Sequence, residues 1–243
     1  MKIVTLAFNR PDFIELQLNS IKKYHTDFTY TVFDNCPDDA IKDECDRLGV
    51  ECIPIKIFSA DPSWCVGVSL DKMWETLQFN TGKLWYIDSD MFLIDKLPEI
   101  EADLAYVEQR RGIFKYPWTG LMYFNMDTLP YPEEMKWAVN YDLSDTDVGG
   151  QNHFYLHNNK PKIHKFYMWT LIRDGYSLNG VDSEMFTEHM WMKLIDLARP
   201  FDIFTNKGTP FILHYKSASN YPKFYTPEYN AKKTEQLKKI LCR

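Results

Sequence analysis

Cysteine is scarce and poorly spaced for chemistry. The five residues, Cys36, Cys45, Cys52, Cys65 and Cys242, include no Cys-x-x-Cys pair. That argues against a zinc ribbon or a disulfide frame, and reduced thiols in a cytoplasmic protein are expected. Excess positive charge is lacking too: 28 Lys and Arg face 34 Asp and Glu, a net charge of −6. A nucleic-acid binder needs a basic face to neutralise phosphates, so that class is set aside. No stretch reaches the roughly 20 apolar residues of a membrane span. The opening MKIVTLAFNRPDF has too short an apolar run for a signal peptide and no small-residue cleavage site. With only 10 glycines and 13 prolines, the chain is neither collagen-like nor low-complexity. What is abundant is aromatic, at 16% of 243 residues. Such a chain has a heavy core or a pocket lined with flat amphipathic surfaces. Its length suits one domain over 1–243 and buries a core without disulfide staples.

The first hundred residues alternate strand and helix signals. Residues 2–8 are an apolar run. Pro11 and Asp12 suit a first helical turn, and Ile14, Leu18 and Ile21 follow at helical spacing. Residues 28–33 are β-rich. A helix is predicted from Asp38 and Asp39, with Gly49 at its C-terminal cap position. Residues 50–58 alternate with period two, 66–79 read as a third helix, and 83–87 as a fourth strand ending in Asp88-Ser89-Asp90. Strand–helix alternation with short connections implies parallel pairing in an α/β sheet, with ligands bound beyond the carboxyl ends of the strands. Asn9-Arg10, Asp34-Asn35 and Asp88-Ser89-Asp90 all fall at such ends. The second half is less regular. Strands are predicted at 104–107, 121–124 and 211–215. Helices are predicted at 133–139, 148–156 and 183–198, with a charged helix from Thr226 and Pro227 to about Leu241.

The sharpest local signal is WYIDSDMFLI. An extended Asp-Ser-Asp points both carboxylates one way, and like charges so placed repel. A divalent cation relieves that repulsion, and carboxylate oxygens suit Mg²⁺ and Mn²⁺. The competing reading is a solvated turn.

The order LAFNRPDF, VFDN, IDSD resembles the nucleotide-sugar-dependent glycosyltransferases of the GT-A fold, over about residues 1–126 and 211–221. The resemblance implies a mixed, mainly parallel sheet flanked by helices. It implies a nucleotide-sugar-binding half over 1–100 and an acceptor-side half over 101–243. Phe8, Asn9 and Arg10 would then border the base pocket, and Asp34 would contact base or ribose. Asp88, Ser89 and Asp90 would be the DxD segment binding the donor diphosphate and Mn²⁺ or Mg²⁺. His214, in FILHYKSASNY, would complete the metal shell, with Lys216 meeting phosphate charge. Trp118 and Gly120, in PWTGLMYF, would face the acceptor. The general base would be Asp147, or else Asp182 or Glu184. Helix capping competes as a role for Asp145 and Asp182, and the family's usual Glu-Asp pair is absent.

The implied activity is metal-dependent transfer of a sugar from a UDP- or GDP-linked donor to a carbohydrate or other hydroxyl acceptor. The alternatives are a non-catalytic nucleotide- or carbohydrate-binding module, and a nucleotidyltransferase. The second would carry a glycine-rich basic loop after the first strand, and AFNRPDF has no glycine.

Overall fold

The computed structural model describes residues 1–143, 146–172, 175–179, 201–215 and 227–242. The chain divides into two compact units, each drawn from separate stretches. Residues 1–8, 27–88 and 99–166 form the first, and residues 9–26, 89–98 and 167–243 the second.

The first unit is built on a sheet in the order β3-β2-β1-β4-β7-β6-β8. Its strands are β1 (Lys2–Ala7), β2 (Thr29–Asp34), β3 (Glu51–Pro54), β4 (Lys83–Ile87), β6 (Leu104–Arg111), β7 (Phe114–Asn125) and the start of β8 (Ile163–Ile172). The pairs β1–β2, β2–β3 and β1–β4 are parallel, as the strand–helix alternation requires. β7 runs antiparallel to both β4 and β6, which makes the sheet mixed. β3 ends at Pro54, short of the predicted 58, because Lys56 takes a left-handed φ of 56°. Helix α2 (Ala40–Leu48) ends as its sequence dictates, with Gly49 at φ 65° and its amide bonded back into the last turn. Helix α3 (Pro62–Leu77) starts a turn earlier than the apolar period shows. Asp61 caps it by accepting from the Trp64 amide at 3.1 Å, and Pro62 follows.

Under the sheet, Leu70, Met73, Trp74 and Leu77 of α3 pack with Val4, Leu84, Tyr106, Phe124 and Trp137. Close approach matters most at Gly67. A Cβ there would stand 2.8 Å from Ala138 Cα and 2.9 Å from the Trp137 carbonyl oxygen. Gly67→Ala is therefore expected to destabilise the protein by about 1–3 kcal/mol, because backbone must move. A urea titration checks this, and an unchanged midpoint would refute the contact.

Residues 133–139 were expected to be helical. Only Pro132–Glu134 makes a 3-10 turn. The peptide groups beyond it are taken by side chains instead: Asp71 accepts from the Trp137 and Ala138 amides at 2.6 and 3.2 Å. Asn152 bonds both the Lys136 amide and its carbonyl. Helix α4 (Asn152–Asn159) starts four residues later than predicted, because Gly149 has φ 79° and Val148–Gly150 form turns.

The second unit holds helix α1 (Pro11–Tyr24) and the strands β5 (Met91–Leu93), β8 from Tyr167, β9 (Gly175–Asn179), β10 (Asp202–Asn206) and β11 (Thr209–His214). All four pairings are antiparallel, in the order β9-β8-β10-β11-β5. Helix α5 (Pro227–Leu241) closes it, and Phe13, Phe92, Trp169, Ile203, Leu213 and Leu237 form its core. Of these strands only β11 was foreseen. The helix predicted over 183–198 lies outside the described residues. No described helix is long and apolar enough to cross a membrane.

Candidate functional site

In the first unit, Asp34 and Asp88 stand at the carboxyl ends of the parallel strands β2 and β4. Asp34 is 1% exposed. Its carboxylate meets the Lys56 ammonium at 2.7 Å and accepts from the Cys36 amide at 2.8 Å. Lys56 Nζ also donates to the carbonyls of Cys36 and Asp38, at 2.7 and 2.8 Å. The left-handed backbone at Lys56 turns its side chain back onto the loop after β2. Sequence reasoning overlooked this lysine, which reads as one polar residue of an alternating strand. Asn35 is spent on structure, its Oδ1 accepting from the Ile57 amide at 2.6 Å. Asp88 is half-buried, accepts from the Tyr86 hydroxyl at 3.3 Å, and donates its amide to the Gly120 carbonyl at 2.9 Å. Phe8 is also half-buried.

The proposed acceptor segments come together in the same unit. The Asp147 amide donates to the Tyr116 hydroxyl at 3.0 Å. Gly149 packs on the same strand, where a Cβ would sit 3.0 Å from Thr119 Cγ2. Asp147 is half-buried and its Oδ1 accepts from the Val148 amide at 2.8 Å. The Trp118 indole lies over Gly120, and a Cβ at 120 would meet the ring at 2.0 Å. The glycine therefore makes room for its own neighbour's indole, two residues away on the same strand face.

In the second unit the DxD segment continues. Ser89 and Asp90 form a turn, not the extended chain expected, so strand alternation does not govern their side chains. Asp90 is buried, and its backbone carbonyl accepts from the Tyr215 amide at 2.8 Å. His214, at the end of β11, lies between two carboxylates. Its Nε2 is 3.3 Å from Asp90 Oδ1 and its Nδ1 is 3.2 Å from Asp202 Oδ2. Burial disfavours charge on this ring, but the Asp90 charge and the hydrogen bonds to Asp202 and Asp90 outweigh it. The His214 pKa is pushed up to about 10. Asp202 escaped sequence reasoning because its strand did.

Asn9 is exposed at φ 55°. Arg10 grips Asp12 with two hydrogen bonds of 2.8 and 2.7 Å and stacks on Phe13, 3.7 Å from the ring centre. Asp145, Asp182, Glu184 and Lys216 lie outside the described residues.

The donor set suits a divalent cation in kind. Asp90 and His214 present oxygen and nitrogen to one another, and Asp202 orients the ring from behind, as outer-shell carboxylates do for ligating imidazoles. Among the described residues, however, no group of three or more His, Cys, Asp or Glu side chains is already arranged to hold an ion.

No protein-family model matches the sequence, and no curated protein does. The fold has counterparts among solved structures. It resembles the galactosyltransferase LgtC, solved with donor and acceptor sugar analogues, at a TM-score of 0.54 and 11% identity, over 100% of this chain and 95% of that one. The glycosyltransferase GlyE of Streptococcus pneumoniae TIGR4 matches at a TM-score of 0.49 and 14% identity, over 99% of this chain and 62% of that one. A Pyrobaculum calidifontis mannosyltransferase, PcManGT, solved with GDP-Man and Mn²⁺, matches at 0.47 and 10% identity, over 68% and 53%. The chain has a mixed α/β fold of the GT-A type, as its motif order implied.

Proposed function

We propose that this protein transfers a sugar from a UDP- or GDP-linked donor to a carbohydrate or other hydroxyl acceptor, assisted by Mn²⁺ or Mg²⁺. The observation that carries the reading is the likeness over the whole chain to the galactosyltransferase fold, in a protein that puts Asp34 and Asp88 at parallel strand ends. Asp34, pinned by Lys56, would contact the nucleoside, with Phe8 bordering it. Asp90 and His214 would hold the cation, and Asp88 carries a ligand role by its place in the motif. The cation would supply charge stabilisation to the departing diphosphate. Arg10 and Lys216 would add positive charge to offset the diphosphate. Asp147 would take the proton of the acceptor hydroxyl, beside Trp118 and Gly120 on β7, with Asp182 and Glu184 as the other carboxylates for that role.

Nucleotide release from a panel of UDP- and GDP-sugars tests this. With Mn²⁺, one donor should be hydrolysed slowly without acceptor, and EDTA should stop it. Turnover that survives EDTA would remove the cation from the scheme. Donor binding without turnover under any acceptor would favour the non-catalytic module.

A further inference from the structure

We propose that the tip of the β6–β7 hairpin, together with the exposed face of α4 beside it, is a docking surface for an anionic lipid membrane. The inference stands apart from the glycosyl-transfer reading. β6 and β7 close in the register Gln109↔Tyr116, Arg110↔Lys115, Arg111↔Phe114, which leaves Gly112 and Ile113 as the turn. Gly112 supplies the left-handed backbone, at φ 54°. The turn asks nothing apolar of its second residue, where polar side chains are usual. Ile113 nevertheless stands there, 81% exposed. Phe114, the next residue, meets the His153 ring of α4 edge-on at 5.2 Å between centres and the Phe154 ring at 6.3 Å. His153 and Phe154 are themselves edge-on at 5.4 Å, and His153 Nδ1 meets the Lys115 main chain at 3.2 Å. Phe154 is 47% exposed. Ring contact thus carries apolar surface from the strand beside the turn onto the helix. Scattered exposed apolar residues are ordinary, but a joined set marks an interaction surface.

The charge around this surface selects its occupant. Arg110, Arg111 and Lys115 flank the turn, all exposed. Glu108 is the only acidic residue from 104 to 125, and α4 contains none. Glu108 is already shared by Arg110 and Lys165, each at 2.6 Å. Arg110 and Lys115 sit directly opposite one another on one face of the ladder, where like charges repel and weaken the pairing. The whole chain carries a net charge of −6, so these cations are gathered against its average. An anionic surface relieves their repulsion. A soluble polyanion would meet the cations but leave Ile113 and Phe154 in water. A lipid bilayer meets both: its headgroups take the cations, and the boundary beneath them takes the apolar tip.

Flotation of the full chain with lipid vesicles tests the surface. Vesicles of equal parts phosphatidylcholine and phosphatidylglycerol should carry the protein, phosphatidylcholine alone should not, and added salt should release it. Arg110→Gln and Lys115→Gln should each weaken binding about fivefold, the worth of one cation near such a surface. Ile113→Asp should weaken it by about tenfold or more, because it removes the apolar tip and adds a negative charge. All three side chains are exposed, so melting temperatures should hold. Failure to bind the anionic vesicles, or wild-type binding by Ile113→Asp, overturns the proposal. So does equally strong binding of soluble polyglutamate that Ile113→Asp leaves unchanged, which would assign the cations to an acidic polymer. A dimer in sedimentation equilibrium that Ile113→Asp dissociates would assign the face to a second copy of the chain instead.

Discussion

Asp90→Asn is expected to reduce metal-dependent turnover of the nucleotide sugar by more than the roughly 10–100-fold that loss of an outer-shell partner costs a metal site. The substitution keeps shape and removes charge. The buried Asp90 carboxylate faces His214 Nε2 at 3.3 Å, so the change takes a proposed cation ligand and a charge partner of the imidazole in one step. Its peptide carbonyl, which holds the Tyr215 amide, is untouched, so the fold should persist. Asp202→Asn is the informative comparison. Asp202 meets the ring nitrogen far from Asp90, and its loss should fall inside the 10–100-fold range. Steady-state kinetics across a Mn²⁺ titration distinguish the two. An Asp90→Asn enzyme with the wild-type Mn²⁺ dependence would dismiss Asp90 as a ligand.

The metal-free protein should lose stability as pH rises from about 6.5 to about 10. An unfolded histidine titrates near 6.5, whereas His214 in the folded chain holds its proton up to about 10. Protonation therefore favours the folded state. The contribution is complete below about 6.5 and disappears as pH passes through the folded value. Its upper bound is on the order of 5 kcal/mol, from about 1.4 kcal/mol for each unit of pKa difference. Urea titrations in EDTA at several pH values, with His214→Asn as reference, read the effect directly. Wild type should lose stability through this window while the variant stays flatter, and parallel profiles would refute the assignment. A cation at this imidazole must first displace its proton, so metal uptake should release a proton and tighten with rising pH.

The first four strands and three helices were legible because each carries a local signature. Pro11 and Gly49 punctuate helices by backbone geometry, and the parallel strands are short apolar runs between them. Asp61-Pro62 marks the first turn of α3 by cap chemistry, one turn before the apolar period begins. Where prediction failed, a distant partner decided. Residues 135–139 have the apolar content of a helix, yet Asp71, some 66 residues away, claims the Trp137 amide. The period-two run at 50–58 breaks at Lys56 because its ammonium reaches back to Asp34. β5, β8, β9 and β10 are defined by pairing across the second unit, and a three-residue strand such as Met91–Leu93 has no period to detect. For the same reason the motif order pointed to Asp90 and His214 but left Asp202 and Lys56 unseen.

The grip on residues 136–138 has an evolutionary consequence. Gly67 is pressed against main chain, and Asp71, Asn152 and Gln151 all bond to peptide groups of this stretch, never to its side chains. Anchorage of that kind is indifferent to the identity of the residues that follow. Substitutions at 140 to 143 can therefore accumulate without loosening the main-chain support that precedes them.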